Sequence, residues 1–328
     1  MTTSRADTGA GPGAAPYLNL LVTMVMFGSA FASSKVVVGE LPHEVAAAFR
    51  FLGGGLLLIV LAALLRRGAP PVGRAAAVRA GLVGLVGVLA YNVFFFWGLS
   101  LAPSLDGSVI VPVFSPILTT AALVVLRRER ATWARGAGLA VGVAGALVFF
   151  LGVDAGAGST RLVGDLVFLA GAACWAAYSI LSKSLAEVDP LRTTAWSTGV
   201  GAVGLTVLAL PVAGDVVWSE VSGVAWANVV FIAVGPTAVA YLFYFRGLRS
   251  VSPSTATTMM FTVPVFGAFF STLCLGESFT GQQLVGTVVM LAGALLAVLG
   301  DTLPRAGTGR TPSAGPDVPA RRQGSASA

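Results

Sequence analysis

Few side chains in this 328-residue chain are equipped for chemistry. It has one histidine, His43, and two cysteines, Cys174 and Cys274, both inside apolar runs. No grouping of His, Cys, Asp and Glu has metal-ligand spacing. No Gly-x-x-x-x-Gly-Lys-Ser/Thr loop is present to cradle nucleotide phosphates. No nucleophile stands with a base and an orienting group. The sequence therefore reads as a non-enzyme with no cofactor and no metal. The fourteen acids avoid the centres of the apolar runs. Glu40 and Glu44 lie at one mouth, Asp106 starts a run, and Glu129 and Glu277 occupy connecting turns. A mid-membrane carboxylate relay of the kind many proton-driven pumps use is not expected.

Two basic residues do fall within apolar runs, Lys35 and Arg50. A charge at a bilayer centre costs about 2.5–3.5 kcal/mol on insertion scales. One reading is that both snorkel to the interface. The other is a gate, with Arg50 and Lys35 paired to Asp106, Glu40 or Glu44. Prolines add a second signal. Pro116 and Pro264 are placed mid-run, joined by Pro112 and Pro236. A mid-helix proline frees a carbonyl, which lipid tolerates only where the group lines a cavity or is buried in protein. Uncharged polar and aromatic residues at similar depth complete a candidate pore: Ser33, Tyr91, Asn92, Ser115, Trp175, Tyr178, Ser179, Tyr241, Thr258, Met259 and Thr262. Trp175 is either a stacking wall for a substrate or a packing residue. Tyr91 and Asn92 hydrogen-bond either a ligand or another helix.

The elements that hold these residues must be membrane helices. Only 10% of residues are charged, 56% are hydrophobic, and the mean hydropathy is +0.87. A soluble domain needs about a quarter of its residues charged. Ten apolar stretches are long enough to cross a ~30 Å core: roughly 17–38, 44–65, 80–101, 106–126, 133–152, 162–183, 191–213, 224–245, 254–276 and 280–301. Short turns such as Leu41-Pro42, Pro103-Ser104 and Asp189-Pro190 separate them. The net charge of +6 does not indicate nucleic acid, because the basic residues sit in short connections. Twelve of them, among them Arg66, Arg74, Arg128, Lys183 and Arg246, fall on one side, against Arg161 on the other. That bias predicts a multi-pass protein of the cytoplasmic (inner) cell membrane with both termini in the cytoplasm. Residues 1–16 and 302–328 read as disordered tails. Ala30-Phe31-Ala32 mimics a signal-peptidase site, but the first run has a counterpart later in the chain, so cleavage is not expected.

That counterpart comes from an internal repeat. Sliding the chain by 148 residues places Ser34-Lys35 on Ser182-Lys183, Pro116 on Pro264, Glu129 on Glu277, and Ala144-Gly145-Ala146-Leu147 on Ala292-Gly293-Ala294-Leu295. With a shift of two more, Ala90-Tyr91 meets Ala240-Tyr241. The expected domains are 17–152 and 162–301, five helices each. An odd unit enters the membrane from the opposite side in its second copy, which makes the repeats inverted. Gly138-x-x-x-Gly142, and Gly286 with Gly293, allow close helix packing, either within the chain or in a homodimer.

The run Gly164-Asp165-Leu166 through Cys174-Trp175-Ala176-Ala177-Tyr178-Ser179, with Pro264-Val265 and Leu275-Gly276-Glu277-Ser278-Phe279-Thr280, resembles the EamA branch of the drug/metabolite transporter superfamily. The resemblance implies ten helices in an all-α membrane fold and movement of small metabolites, export more than uptake. It also implies a role for an arginine at Arg50. The expected partner besides the lipid bilayer is a small neutral or zwitterionic, amino acid-like substrate. The alternatives are a multidrug or cation exporter, which would want a buried carboxylate in the pore, and a receptor or scaffold without transport.

Overall fold

The computed structural model describes residues 14–65, 72–128, 132–152, 158–185, 187–248 and 259–299. These are helical, with no strand among them. The expected tails fall largely outside the described residues, as do Arg66, Glu129 and Thr258, although the first helix already begins at Ala14. The helices are α1 (Ala14–Val38), α2 (His43–Leu65), α3 (Arg74–Gly84, continued through Tyr91–Leu101), α4 (Ser104–Val125) and α5 (Trp133–Leu151). They continue as α6 (Gly158–Ser182), α7 (Pro190–Ala213), α8 (Gly223–Ile232, continued through Ala240–Leu248), α9 (Val263–Leu275) and α10 (Gly281–Leu299). Eight of them are long and apolar enough to cross a membrane. The last two are apolar but shorter as described.

Local chemistry sets the boundaries. Asp189 caps α7 by accepting from the Arg192 amide at 3.0 Å, with Pro190 in the first helical turn, where its missing N–H costs nothing. Thr280 and Gln283 form a reciprocal capping box at the start of α10, with bonds of 3.1 and 3.2 Å. Gly276 ends α9 at φ 69°, a left-handed turn that suits glycine. Pro264 is corrected by this geometry. Thr262 bonds back to Met259 in a turn, and α9 starts at Val263. Pro264 thus occupies a first turn, where proline fits, while Pro116 is interior to α4.

Two π-helical segments interrupt the long helices. Leu85–Ala90 lies inside α3 and ends at the alanine of the repeated Ala-Tyr pair, and Ala233–Val239 lies inside α8 and ends just before it. The repeat is therefore visible in backbone geometry, not only in residue identities.

The packing shows the same two-fold pattern. α5 packs on α10 and α2 on α7, while α1 packs on α8 and α9 as α6 packs on α3 and α4. Exchanging each helix with the one five places on leaves this set unchanged. Phe95, Phe96, Phe149 and Phe168 fill the interior, and Leu56, Val78, Val203, Leu273 and Val288 point outward. An exposed apolar surface of this extent is a lipid-facing one.

The glycine patterns of the sequence are used inside the chain, between α5 and α10. A Cβ on Gly145 would stand 2.5 Å from the Met290 nitrogen, and one on Gly293 would collide with the backbone of Gly142. Gly293→Leu is expected to cost about 1–3 kcal/mol by overpacking. Gly136→Leu, where a side chain meets nothing within 4 Å, should leave the thermal unfolding midpoint in detergent unchanged. Equal midpoints for the two variants would rule out the close α5–α10 contact.

Candidate functional site

A cavity of about 520 Å³ runs through the middle of the bundle. Its wall takes Phe27 and Phe31 from α1, Arg50 from α2, Tyr91, Asn92 and Phe95 from α3, and Ser115 and Pro116 from α4. The second repeat adds Trp175 and Ser179 from α6, Thr237 and Tyr241 from α8, and Val263 from α9. Both π segments border it, through Gly87 and Val88 in one and Pro236 and Thr237 in the other. A side chamber of about 300 Å³ branches off, with Tyr178, Thr193 and Ser197 in its wall. Trp175, Tyr241 and Phe27 face both spaces.

The structure sorts the expected site residues. Trp175 stands edge-on to Tyr91, with ring centroids 5.1 Å apart, and tilted against Tyr178 at 5.3 Å. Tyr91, Asn92, Trp175, Tyr241, Arg50 and Pro116 line the main cavity, and Tyr178 lines only the side chamber. Ser33 is half-buried on α1 but outside both walls. Met259 packs against the core, and its neighbour Met260 lines the cavity instead. Pro264 is buried without reaching the cavity, and Thr258 lies outside the described residues. Phe31, Phe95 and Thr237 had no distinguishing signal in the sequence beyond apolarity or a lone hydroxyl, whereas Phe27 falls on Trp175 in the 148-residue repeat register.

The two ends of the bundle differ. Arg135 near the start of α5 and the exposed Lys183 after α6 border the cavity at one end. The other end is closed by polar contacts between the repeats. The Glu277 carboxylate accepts from the Ser104 and Leu105 amides at 3.0 and 2.7 Å and from the Ser104 hydroxyl at 2.9 Å. It thus caps α4 with a negative charge at the positive end of the helix dipole. Asp106, one turn into α4 and fully buried, receives a two-pronged bond from Arg161 at 2.7 and 2.9 Å and a third from Gln283 at 3.2 Å. Lys35 donates to the carbonyls of Leu99 and Ala102, the latter at 2.8 Å, at the end of α3. Further out, Glu40 accepts from the Ser222 amide and hydroxyl, each at 2.6 Å. The Ser222 hydroxyl and amide hold the Glu40 carboxyl below the usual carboxylate range.

These contacts correct the expected gate. Arg50 makes no ion pair among the described residues. Asp106 is taken by Arg161 and Gln283, Glu40 by Ser222, and Glu44 lies 3.3 Å from His43. Arg50 sits a layer deeper than all of them. Nor are the acids only peripheral. Asp106 and Asp165 are wholly buried, and Asp165 stands close to Asp106 and Arg161. Both belong to the closed end, and no Asp or Glu among the described residues lines the cavity.

A profile of the EamA-like transporter family matches residues 15–151 and 162–299. The chain belongs to this family. An EamA relative described as an uncharacterized transporter, YyaM of Bacillus subtilis (strain 168), is 26% identical over 287 residues, covering 86% of this chain and 92% of its own. A probable terminal-alkyne amino-acid exporter of Streptantibioticus cattleyicolor is 28% identical over 66% of this chain and 71% of its own. The aromatic amino acid exporter YddG of Ancylobacter novellus is 26% identical over 66% of this chain and 74% of its own. A chain in a solved crystal structure, 23% identical, shares the fold with a TM-score of 0.63, covering 90% of this chain and 100% of that one. This EamA protein is thus a multi-pass membrane transporter, as the hydropathy suggested.

Glu277 is the residue on which closure of the polar end should depend most. Glu277→Ala leaves the α4 amides uncapped, at a cost of about 1–2 kcal/mol, which opens that end about 5–30-fold more often. A Ser108→Cys reporter, buried where α4 meets Gly267 of α9, should then react correspondingly faster with a thiol reagent. An unchanged rate would show that the Glu277 cap does not hold the end shut.

Proposed function

We propose that this EamA protein is a secondary transporter that exports a small neutral or zwitterionic, amino acid-like metabolite by alternating access. The observation that carries this reading is one cavity walled by both repeats, reached at one end and sealed at the other by inter-repeat polar contacts. Alternating access needs a central site whose two ends are never open together. The two-fold exchange of helix contacts supplies a second, equivalent way of closing, with the seal transferred to the opposite end. In this reading the chain crosses the inner cell membrane ten times as two inverted five-helix units. The short helices α9 and α10 complete the count. The loop-charge bias then places both termini and the cavity mouth in the cytoplasm, so a substrate enters from inside. Two relatives named as amino-acid exporters favour the substrate class and direction. The aromatic wall and uncharged hydroxyls of the cavity suit a molecule with an apolar side chain.

The test is flux in vesicles. Full-length protein reconstituted into proteoliposomes should give saturable movement of labelled phenylalanine, tryptophan or leucine, and empty vesicles should not. Trp175→Ala should lower the rate of the aromatic substrates about tenfold, equivalent to 1.4 kcal/mol, while reconstituting normally. Saturable binding without movement of any of the three would make the protein a receptor rather than a carrier.

A further inference from the structure

Among the described residues, Arg50 is the one buried charged side chain in the cavity wall, and it has no negative partner. The side chain is 8% exposed. Its Nε donates to the Thr237 hydroxyl at 3.2 Å. The guanidinium lies over the rings of Phe51, Phe95 and Phe96 at 5.1, 5.5 and 5.9 Å. Those rings supply cation–π attraction but accept no hydrogen bonds in the guanidinium plane. The two terminal nitrogens carry four further N–H donors. None of these has a protein acceptor among the described residues, and neither nitrogen is sealed from the cavity. A fork of parallel donors facing an open space matches a carboxylate.

A second unpartnered group stands nearby. Asn92 is 1% exposed and lines the same cavity. Its amide nitrogen donates to the Val88 carbonyl at 2.8 Å. That bond fixes which end of the amide is oxygen, and Oδ1 has no partner. Asn92 lies one helical turn before Phe95 and Phe96, on the face of α3 that carries the rings beneath Arg50. That oxygen is itself sealed from the cavity, so Arg50 is the group that a molecule in the cavity can reach. The repeat-related positions carry Thr198 and Leu242, so both residues belong to one repeat only.

We infer that Arg50 is the carboxylate-docking residue of the cavity and that the cavity selects organic carboxylates against organic cations. This rests on the transport reading and narrows it from neutral or zwitterionic metabolites to those with a free carboxylate. The charge around the site agrees. Arg50, Arg135 and Lys183 line the cavity with no acid among the described lining residues. An amine without a carboxylate would meet like charge at the mouth and at the docking point, whereas an anion would be drawn along the same route.

Equilibrium binding to the full-length protein in detergent tests the inference separately from flux. The probes are L-phenylalanine, 3-phenylpropionate, L-phenylalaninamide and 2-phenylethylamine, read by calorimetry. Phenylalanine and phenylpropionate should bind, and the amide and the amine should bind at least about tenfold more weakly. Arg50→Gln should weaken both carboxylates about 10–100-fold without weakening the other two, and Arg50→Lys should recover part of the loss. The comparison of ligands on the unaltered protein stands even if a variant fails to fold. Binding of the amide or amine as tight as that of phenylalanine, or no binding by either carboxylate, overturns the inference. Carboxylate-selective binding without flux would instead remove the transport reading and leave the docking site standing.

Discussion

The Thr237 hydroxyl joins the backbone of this protein to its chemistry. Pro236, one residue earlier, brings no N–H to the helix ladder, and in hydrocarbon an abandoned carbonyl costs several kcal/mol. Thr237 answers by donating to the Ile232 carbonyl at 2.8 Å, and its oxygen accepts from Arg50 at 3.2 Å. One hydroxyl therefore repairs a broken helix and steadies the buried cation. Its position depends on close approach of α2 and α8, where Gly54 leaves space that any Cβ would fill against the Thr237 side chain. The same constraint governs the other irregularities. The π segments and the prolines Pro112, Pro116 and Pro236 border the cavity, while the exposed Pro211 near the end of α7 does not. Helices departing from the α-helical ladder there agree with the rule that irregular backbone at membrane depth lines a cavity or lies within protein.

Charge is segregated along the same axis. The buried acids Asp106 and Asp165, with Glu277 beside them, gather at the closed end, and the cations Arg50, Arg135 and Lys183 line the open path. A buried pair gains little net stability over an apolar one but is costly to break by halves. The bidentate Arg161–Asp106 contact and the Glu277 cap therefore suit a seal that must hold one geometry and still be separable as a unit. Apolar interdigitation would seal as well, yet it would not distinguish a correctly docked end from a slipped one.

Much of this was legible in the sequence, and the reasons differ by feature. Hydropathy and loop charge located the helices because lipid enforces a coarse, repetitive pattern. The repeat register found the Ala-Tyr pairs, and both tyrosines reach the cavity. Trp175 and Asn92 were legible because they are polar or amphipathic where lipid penalises both. Thr237, Phe31 and Phe95 were not, because a threonine or phenylalanine in an apolar run has no unusual cost to betray it. The gate partners of Arg50 were misread because depth along a helix does not tell which neighbour lies opposite. Met260 rather than Met259 lines the cavity because depth along the chain does not tell which of two neighbours faces inward, and Pro264, its missing N–H harmless there, fits the first turn of α9.

Symmetry gives the last step of the argument. The contacts of the two halves map onto each other, and several features recur in both: the π segment, the Ala-Tyr pair, the glycines of α5 and α10. Arg50 and Asn92 do not recur, with Thr198 and Leu242 in their places. A symmetric frame can hold an asymmetric molecule in one orientation only if the frame is marked at one side, and Arg50, buried in the cavity wall of one repeat, is such a mark.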